Sequence, residues 1–311
     1  MCRTVGNACD ARVTTAPLAR APPYTEPVAH RLKKEEAQQK ALPWAQWRLS
    51  APDPAFSLAA LDPGAKPFSL GSKTADREQL DALALELDAL QELFYADHRH
   101  KLLVVLQGLD TSGKDGTLRA VFGRMSPIGV RTAAWGVPSQ NERAHDFLWR
   151  IHAQVPAAGE IVGFNRSHYE DVLVPVVEGQ IDAEQTARRH AQINDFERLL
   201  TESGTVVLKF LLHISADEQR KRLQQRIDDP TKRWKFQAGD LAVRLKWDAY
   251  QQAYQAAVAA TATPWAPWTI VPADSKTHRN LMVALAVREA LQGLALRYPD
   301  EDPSLRDLKV V

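Results

Sequence analysis

Residues 102–117 read Leu-Leu-Val-Val-Leu-Gln-Gly-Leu-Asp-Thr-Ser-Gly-Lys-Asp-Gly-Thr. An apolar run of the kind that fills a fully buried strand leads into a loop carrying Gly108, Gly113, Gly116 and Lys114. Strand, glycine-rich loop and helix start, in that order, make a phosphate-binding P-loop. Backbone N–H groups and the helix N-terminus face the anion, and the lysine ammonium reaches the outer phosphates. The spacing from Gly108 to Gly113-Lys114 fits G-x-x-x-x-G-K. Gly108, Thr111, Ser112, Gly113, Lys114, Asp115, Gly116 and Thr117 are therefore the candidate phosphate-binding residues. Asp115 stands where a Ser or Thr would offer a hydroxyl to Mg2+. Another group must hold the metal, and Asp110 inside the loop is the candidate ligand.

Outward from the loop the chain alternates strands and helices. Strands are expected at 130–135, 160–164, 205–214 and 269–271 besides the one before the loop. Ser139-Gln-Asn-Glu142 is a capping box for a helix reaching about residue 153, Asp182 opens a helix that Gly204 stops, and Ser215 caps the next. Further helices are expected up to about residue 260 and from 276 to 297. Five strands alternating with helices imply an α/β fold with a parallel sheet covered on both faces. The P-loop then lies at the carboxyl end of a strand, where such sheets bind ligands.

Upstream, Leu80, Leu83, Leu87, Leu90 and Phe94 form a helical apolar stripe, with Asp76 and Gln79 able to cap its start. Residues 31–74 read as an extended N-terminal arm, charged up to Lys40 and then broken by five prolines, its Trp44 and Trp47 packed on the body or on a partner subunit. Residues 1–30 lack periodicity and read as disordered, and 299–311 as a tail.

Two further stretches carry chemistry. Gly163-Phe-Asn-Arg-Ser-His-Tyr-Glu-Asp171 follows the third strand and brings Asn165 and Arg166 to a strand end beside the loop. The planar Arg166 fork suits phosphate oxygens, while Glu170 and Asp171 can orient metal-bound water or the acceptor phosphate. Between Arg220 and Lys246 nine bases face three acids, a local balance of +6. Arg220 to Arg222 read as a solvated helix face. Arg226, Arg233 and Lys235 flank a proline break at about 226–246, where P-loop kinases carry a lid whose arginines close on the phosphates.

A net charge of +1 argues against a chain that coats nucleic acid or membrane by overall charge. The only cysteines are Cys2 and Cys9, so no disulfide framework holds the body. Without an apolar run of spanning length or a signal-peptide core, the expected compartment is the cytoplasm. His145, His152, His190 and His213 have no metal-ligand spacing.

The three motifs Gly108–Gly116, Phe164–Leu173 and the Arg226–Arg244 lid resemble, in this order, the polyphosphate kinase family 2, over roughly residues 75–298. The resemblance implies a three-layer α/β/α P-loop kinase fold with a five-stranded parallel sheet, a helical lid and an N-terminal extension. It implies Mg2+-dependent phosphoryl transfer, with Mn2+ as substitute, between inorganic polyphosphate and nucleoside mono- and diphosphates, in a homo-oligomer, commonly a tetramer. By position, Asp110 resembles the family's metal carboxylate, Lys114 its loop lysine, and Arg166 and Arg226 its strand-end and lid arginines. Many members carry Asp where this chain has Asn165. Tyr169-Glu170-Asp171 resembles the subgroup acting on both AMP and ADP, with GMP and GDP as further acceptors. A local +6 beside the loop suits a polyanionic donor. The alternatives are an ATP-dependent nucleoside or nucleotide kinase, and a non-catalytic nucleotide-binding P-loop module.

Overall fold

The computed structural model describes residues 44–305 and 308–310. Readings that fall on residues 1–43, the disordered start and the charged first part of the arm among them, lie outside the described residues. Six strands form one sheet: β1 (Arg48–Leu49), β2 (Lys101–Gln107), β3 (Val130–Ala134), β4 (Ile161–Asn165), β5 (Thr205–His213) and β6 (Trp268–Pro272). Their order is β1-β6-β5-β2-β4-β3. The five long strands are parallel, as the alternation implies. Leu102 to Leu106 are completely buried, as a central strand covered on both faces requires.

The sixth strand corrects the five-stranded expectation. Arg48 and Leu49 pair antiparallel with Thr269 and Trp268, so the proline-rich segment adds an edge strand before it crosses the body. Its tryptophans pack on that body: Trp44 lies against Phe68 with ring centroids 4.4 Å apart, and the Trp47 carbonyl accepts the Ile270 amide at 2.7 Å.

The helices are α1 (Lys73–Asp97), α2 (Lys114–Phe122), α3 (Gln140–Arg143), α4 (Trp149–His152), α5 (Glu170–Val177), α6 (Ala183–Glu202), α7 (Ala216–Asp228), α8 (Ala238–Leu245), α9 (Trp247–Thr261) and α10 (Lys276–Gln292). Helices α1, α2 and α10 pack together, and α5, α6 and α9 form a second group. The α1 stripe is buried at Leu83, Leu87 and Phe94.

Three boundaries differ from expectation for local reasons. Ser72, not Asp76, caps α1, accepting the Ala75 amide. Asp76 is buried and takes Ser69 Oγ and the Leu70 amide instead, tying the arm to the helix. The helix opened by the Ser139–Glu142 capping box stops after one turn, because Asp146 Oδ1 accepts the Leu148 amide and turns the chain before α4. The last helix ends at Gln292 rather than near Arg297.

Candidate active site

The loop between β2 and α2 is shaped by its glycines. Gly108 (φ +145°) and Gly113 (φ +109°) have left-handed backbones, and a Cβ on Gly108 would meet the Leu212 carbonyl at 2.7 Å. Thr111 (φ 64°) holds a left-handed backbone without being glycine, as does Arg166 (φ 65°) at the end of β4. Two such strained residues facing one site show a conformation imposed by their surroundings. The Lys114 ammonium, buried at the start of α2, folds back onto the Gly108 carbonyl at 2.5 Å. Burial lowers its pKa, and the negative charge of Asp110 partly offsets this.

Asp110 is the electrostatic centre. Arg166 Nη2 donates to its Oδ1 at 2.8 Å, while Oδ2 makes no hydrogen bond among the described residues. Burial alone would raise the Asp110 pKa, but Lys114, Arg166 and Arg226 together outweigh it and hold the carboxyl below its ordinary value. Arg166 also approaches Glu170 Oε2 at 3.7 Å. Burial raises the Glu170 pKa despite the opposing pull of Arg166 and Lys114. Gln107 supports this carboxylate: with its amide oriented to satisfy both ends, it donates to Glu170 Oε1 and accepts from the Ser167 amide, both at 3.0 Å. Asn165 does not reach toward Asp110. Its amide donates to Asp115 Oδ1 at 2.5 Å, so Asp115, in the place of the usual hydroxyl, clips the loop to the strand end.

Two arginines brace the loop from behind. Arg222 Nη1 donates to the Thr111 carbonyl (2.9 Å), and Nη2 to the carbonyls of Ala273 and Asp274 (2.8 Å each). It is only 6% exposed, so the reading of Arg220 to Arg222 as a solvated face fails at this residue. Arg279 on α10 donates to the Ser112 carbonyl at 2.9 Å and fills the space beside Gly113, where a Cβ would come within 1.9 Å of its guanidinium. Thr117 turns from the ligand side altogether, its hydroxyl donating to Asn280 at 3.1 Å.

The lid segment brings Arg226 to the site and leaves its neighbours outside it. Arg226 lies at the end of α7, 3.5 Å from Asp240 and close enough to act on Asp110. Arg233 bonds the Ile227 carbonyl at 2.7 Å, and the Lys235 ammonium lies 5.0 Å from the ring of Trp234, itself 76% exposed. Half of the local +6 is met by acids outside the stretch, since Arg220 pairs with Asp217, Arg222 with Glu218 and Lys246 with Glu178. Asp171 faces away from the loop. It pairs with Arg150 at 3.3 Å and lines a separate cleft of about 720 Å³, whose walls include Phe147, Phe196, Arg143 and Arg189.

Against known proteins, the family model for Polyphosphate kinase 2 matches residues 71–298. The chain belongs to the polyphosphate kinase 2 family. An AMP/ADP-polyphosphate phosphotransferase of Meiothermus ruber is 51% identical over 251 residues, covering 81% of this chain and 94% of that protein. An ADP-polyphosphate phosphotransferase of Rhodopseudomonas palustris is 38% identical, covering 76% of this chain and 86% of its own length. The crystal structure of Polyphosphate Kinase 2 from Arthrobacter aurescens superposes with a TM-score of 0.79 at 44% identity, covering 84% of this chain and 92% of that one.

In this polyphosphate kinase 2 chain a buried polar network lies under the strand-end motif. Lys209 on β5 meets Glu197 on α6 at 2.6 Å, both wholly buried. Tyr169 OH donates to Glu197 Oε1 at 2.9 Å, and Lys209 donates to Tyr169 OH and the Thr261 carbonyl at 3.0 and 2.7 Å. Tyr254 on α9 is a second residue that motif spacing does not reveal. It is buried, shares a small pocket with Leu109 of the loop, and has its pKa raised by that burial.

Proposed function

We propose that the chain transfers phosphoryl groups between inorganic polyphosphate and nucleotides, with AMP and ADP as acceptors and GMP and GDP as further ones. The observation that carries this reading is the convergence of Lys114, Arg166 and Arg226, from three different elements, on one ionised loop carboxylate. In the forward direction the terminal P–O–P bond of the chain breaks and a nucleotide phosphate oxygen forms the new bond, leaving a chain one unit shorter. Such a transfer needs in-line placement and charge neutralisation rather than a covalent nucleophile.

Each functional cation has an internal partner: Lys114 the Gly108 carbonyl, Arg166 the Asp110 carboxylate, and Arg226 the nearby Asp240. These contacts keep the three groups near one another, within reach of phosphate oxygens. Mg2+, or Mn2+ in its place, fits Asp110, because one ionised carboxylate with a free oxygen suits a hard cation that keeps several waters. When bound, the ion neutralises phosphate charge. A homo-oligomeric cytoplasmic enzyme completes the proposal; among the described residues no helix is long and apolar enough to cross a membrane.

The deciding experiment supplies AMP or ADP with either long-chain polyphosphate or ATP. Transfer from polyphosphate is expected, and transfer from ATP alone would overturn the reading. Arg226→Ala is expected to lower kcat roughly 10²-fold with the nucleotide Kd changed less than about threefold, as for a group bonded mainly in the transition state. A loss confined to Kd would make Arg226 a ground-state contact.

A further inference from the structure

Charge behind the phosphate loop is balanced unevenly. Arg222 and Arg279 both donate to loop carbonyls, yet only Arg222 has an acid, its Nε donating to Glu218 Oε1 at 2.8 Å. Arg279 is 3% exposed and closes no ion pair among the described residues. Its remaining hydrogen bonds go to a neutral acceptor, Asn280 Oδ1, at 3.1 Å from Nε and 2.9 Å from Nη2. Burial and the neighbouring Arg222 both disfavour its charge, and no carboxylate offsets them. A guanidinium stays protonated under such pressure. The fold therefore holds a whole cation inside with no acid of its own beside it, an arrangement that is unfavourable for stability alone.

Its position supplies a reason. The guanidinium lies against two loop glycines: a Cβ on Gly113 would come within 1.9 Å of Nη1, and one on Gly116 within 3.4 Å of Nη2. These glycines make room for Arg279 as well as shaping the loop. Nη1 donates to the Ser112 carbonyl at 2.9 Å, which sets the charge against the loop backbone and the first turn of α2. The helix dipole is positive at that same end. Asp115, the acid of this turn, is engaged by the Asn165 amide. Lys114, the α2 terminus and Arg279 thus bring three sources of positive potential to one loop, and an anion seated there offsets all three.

We propose that Arg279 is a positioning residue for phosphate: it braces Ser112 and, lacking a carboxylate partner, takes the phosphate in the loop as its counter-charge without touching it. This rests on the phosphate-binding loop of the proposed function. Asn280 belongs to the same device. It fixes the guanidinium and accepts the Thr117 hydroxyl at 3.1 Å, yet as a neutral group it leaves the charge of Arg279 uncancelled.

Asn280→Asp is the direct test, read by calorimetric binding of tripolyphosphate and by a thermal melt. The carboxylate keeps an acceptor for Arg279 and Thr117 and gives Arg279 an acid. The melting temperature is expected to rise by about 2 °C or more. The tripolyphosphate Kd is expected to rise roughly tenfold, as one unit charge near the anion is cancelled. In transfer assays kcat should change less than about threefold, because a charge felt alike by bound substrate and transition state acts on KM. Arg279→Met, which removes the charge, should raise the same Kd at least as much. Arg279→Lys keeps the charge without the fork and should return the Kd to within about threefold of wild type. An unchanged Kd in Asn280→Asp overturns the proposal, as hydrogen bonds alone would then be what Arg279 supplies. So does weaker binding accompanied by a lower melting temperature, or a lysine variant as weak as the methionine one.

The same titration separates this claim from the proposed function. A wild type that binds tripolyphosphate but transfers nothing from polyphosphate loses the proposed function, while the role of Arg279 stands if Asn280→Asp weakens that binding. No binding by the wild type overturns both.

Discussion

Asp110→Asn is expected to lower Mg2+-dependent transfer from polyphosphate to AMP by roughly 10³-fold while the fold is kept. The replacement is isosteric, and its amide oxygen can still accept from Arg166 where Asp110 Oδ1 does now. What disappears is the negative charge on which Lys114, Arg166 and Arg226 converge and which would meet the metal. Two readouts separate these roles. If Asp110 is the metal's carboxylate, the half-saturating Mg2+ concentration should rise at least tenfold by order of magnitude, because a single-carboxylate site loses its only charged protein ligand. If Asp110 serves only as the resting partner of Arg166, turnover falls with the Mg2+ titration unmoved. Near-wild-type turnover removes Asp110 from the site. Circular dichroism and a thermal melt of the variant guard against mistaking unfolding for lost catalysis.

What could be read beforehand was what local sequence determines. The β2 run, the glycines and Lys114 lie within sixteen residues, and each reports its own backbone geometry or charge. The strand-end Arg166 and the lid Arg226 were legible because the order of elements in a parallel sheet brings strand ends and crossovers to one edge. Arg279 was not legible: it braces Ser112 from 167 positions away, and nothing in its helix marks it out. Arg222 misled for a related reason. Its spacing to Glu218 is that of an ordinary exposed helix pair, and only the packing of α7 behind the loop buries it. The edge strand β1 is two residues long, too short for any alternation to show. A count of the lid's charge cannot show that Arg220, Arg222 and Lys246 are paired with acids outside the stretch.

Lys209→Met should destabilise the protein by about 3–5 kcal/mol, because it leaves Glu197 charged and without its cation in a wholly buried place. Tyr169 and His168 would still contact Glu197 Oε1, but neither supplies a fixed positive charge. The double variant Lys209→Met/Glu197→Leu should cost less than the single one, since the pair repays much of its own desolvation and removing both ends strands no charge. Urea unfolding of the three proteins reads this directly, and a cost below about 1 kcal/mol for Lys209→Met would mean that the pair is not desolvated as drawn.

The pH dependence has a definite sign. In the wild type the Glu197 pKa lies below its ordinary 4.5: burial would raise it, but Lys209 and His168 outweigh burial. The pair's contribution is therefore present above about pH 4.5 and fades as the pH falls through the folded-state value. Without Lys209, burial dominates and the folded pKa rises above the unfolded one. The variant's deficit should then be largest at neutral pH and shrink on acidification as Glu197 takes up a proton. The effect extends to the site, because Tyr169, which bonds both Lys209 and Glu197, immediately precedes Glu170 and lies three residues after Arg166. Folded Lys209→Met protein should thus lose turnover through misplacement of Arg166 and Glu170, an effect that Lys209→Arg should partly reverse by restoring the charge.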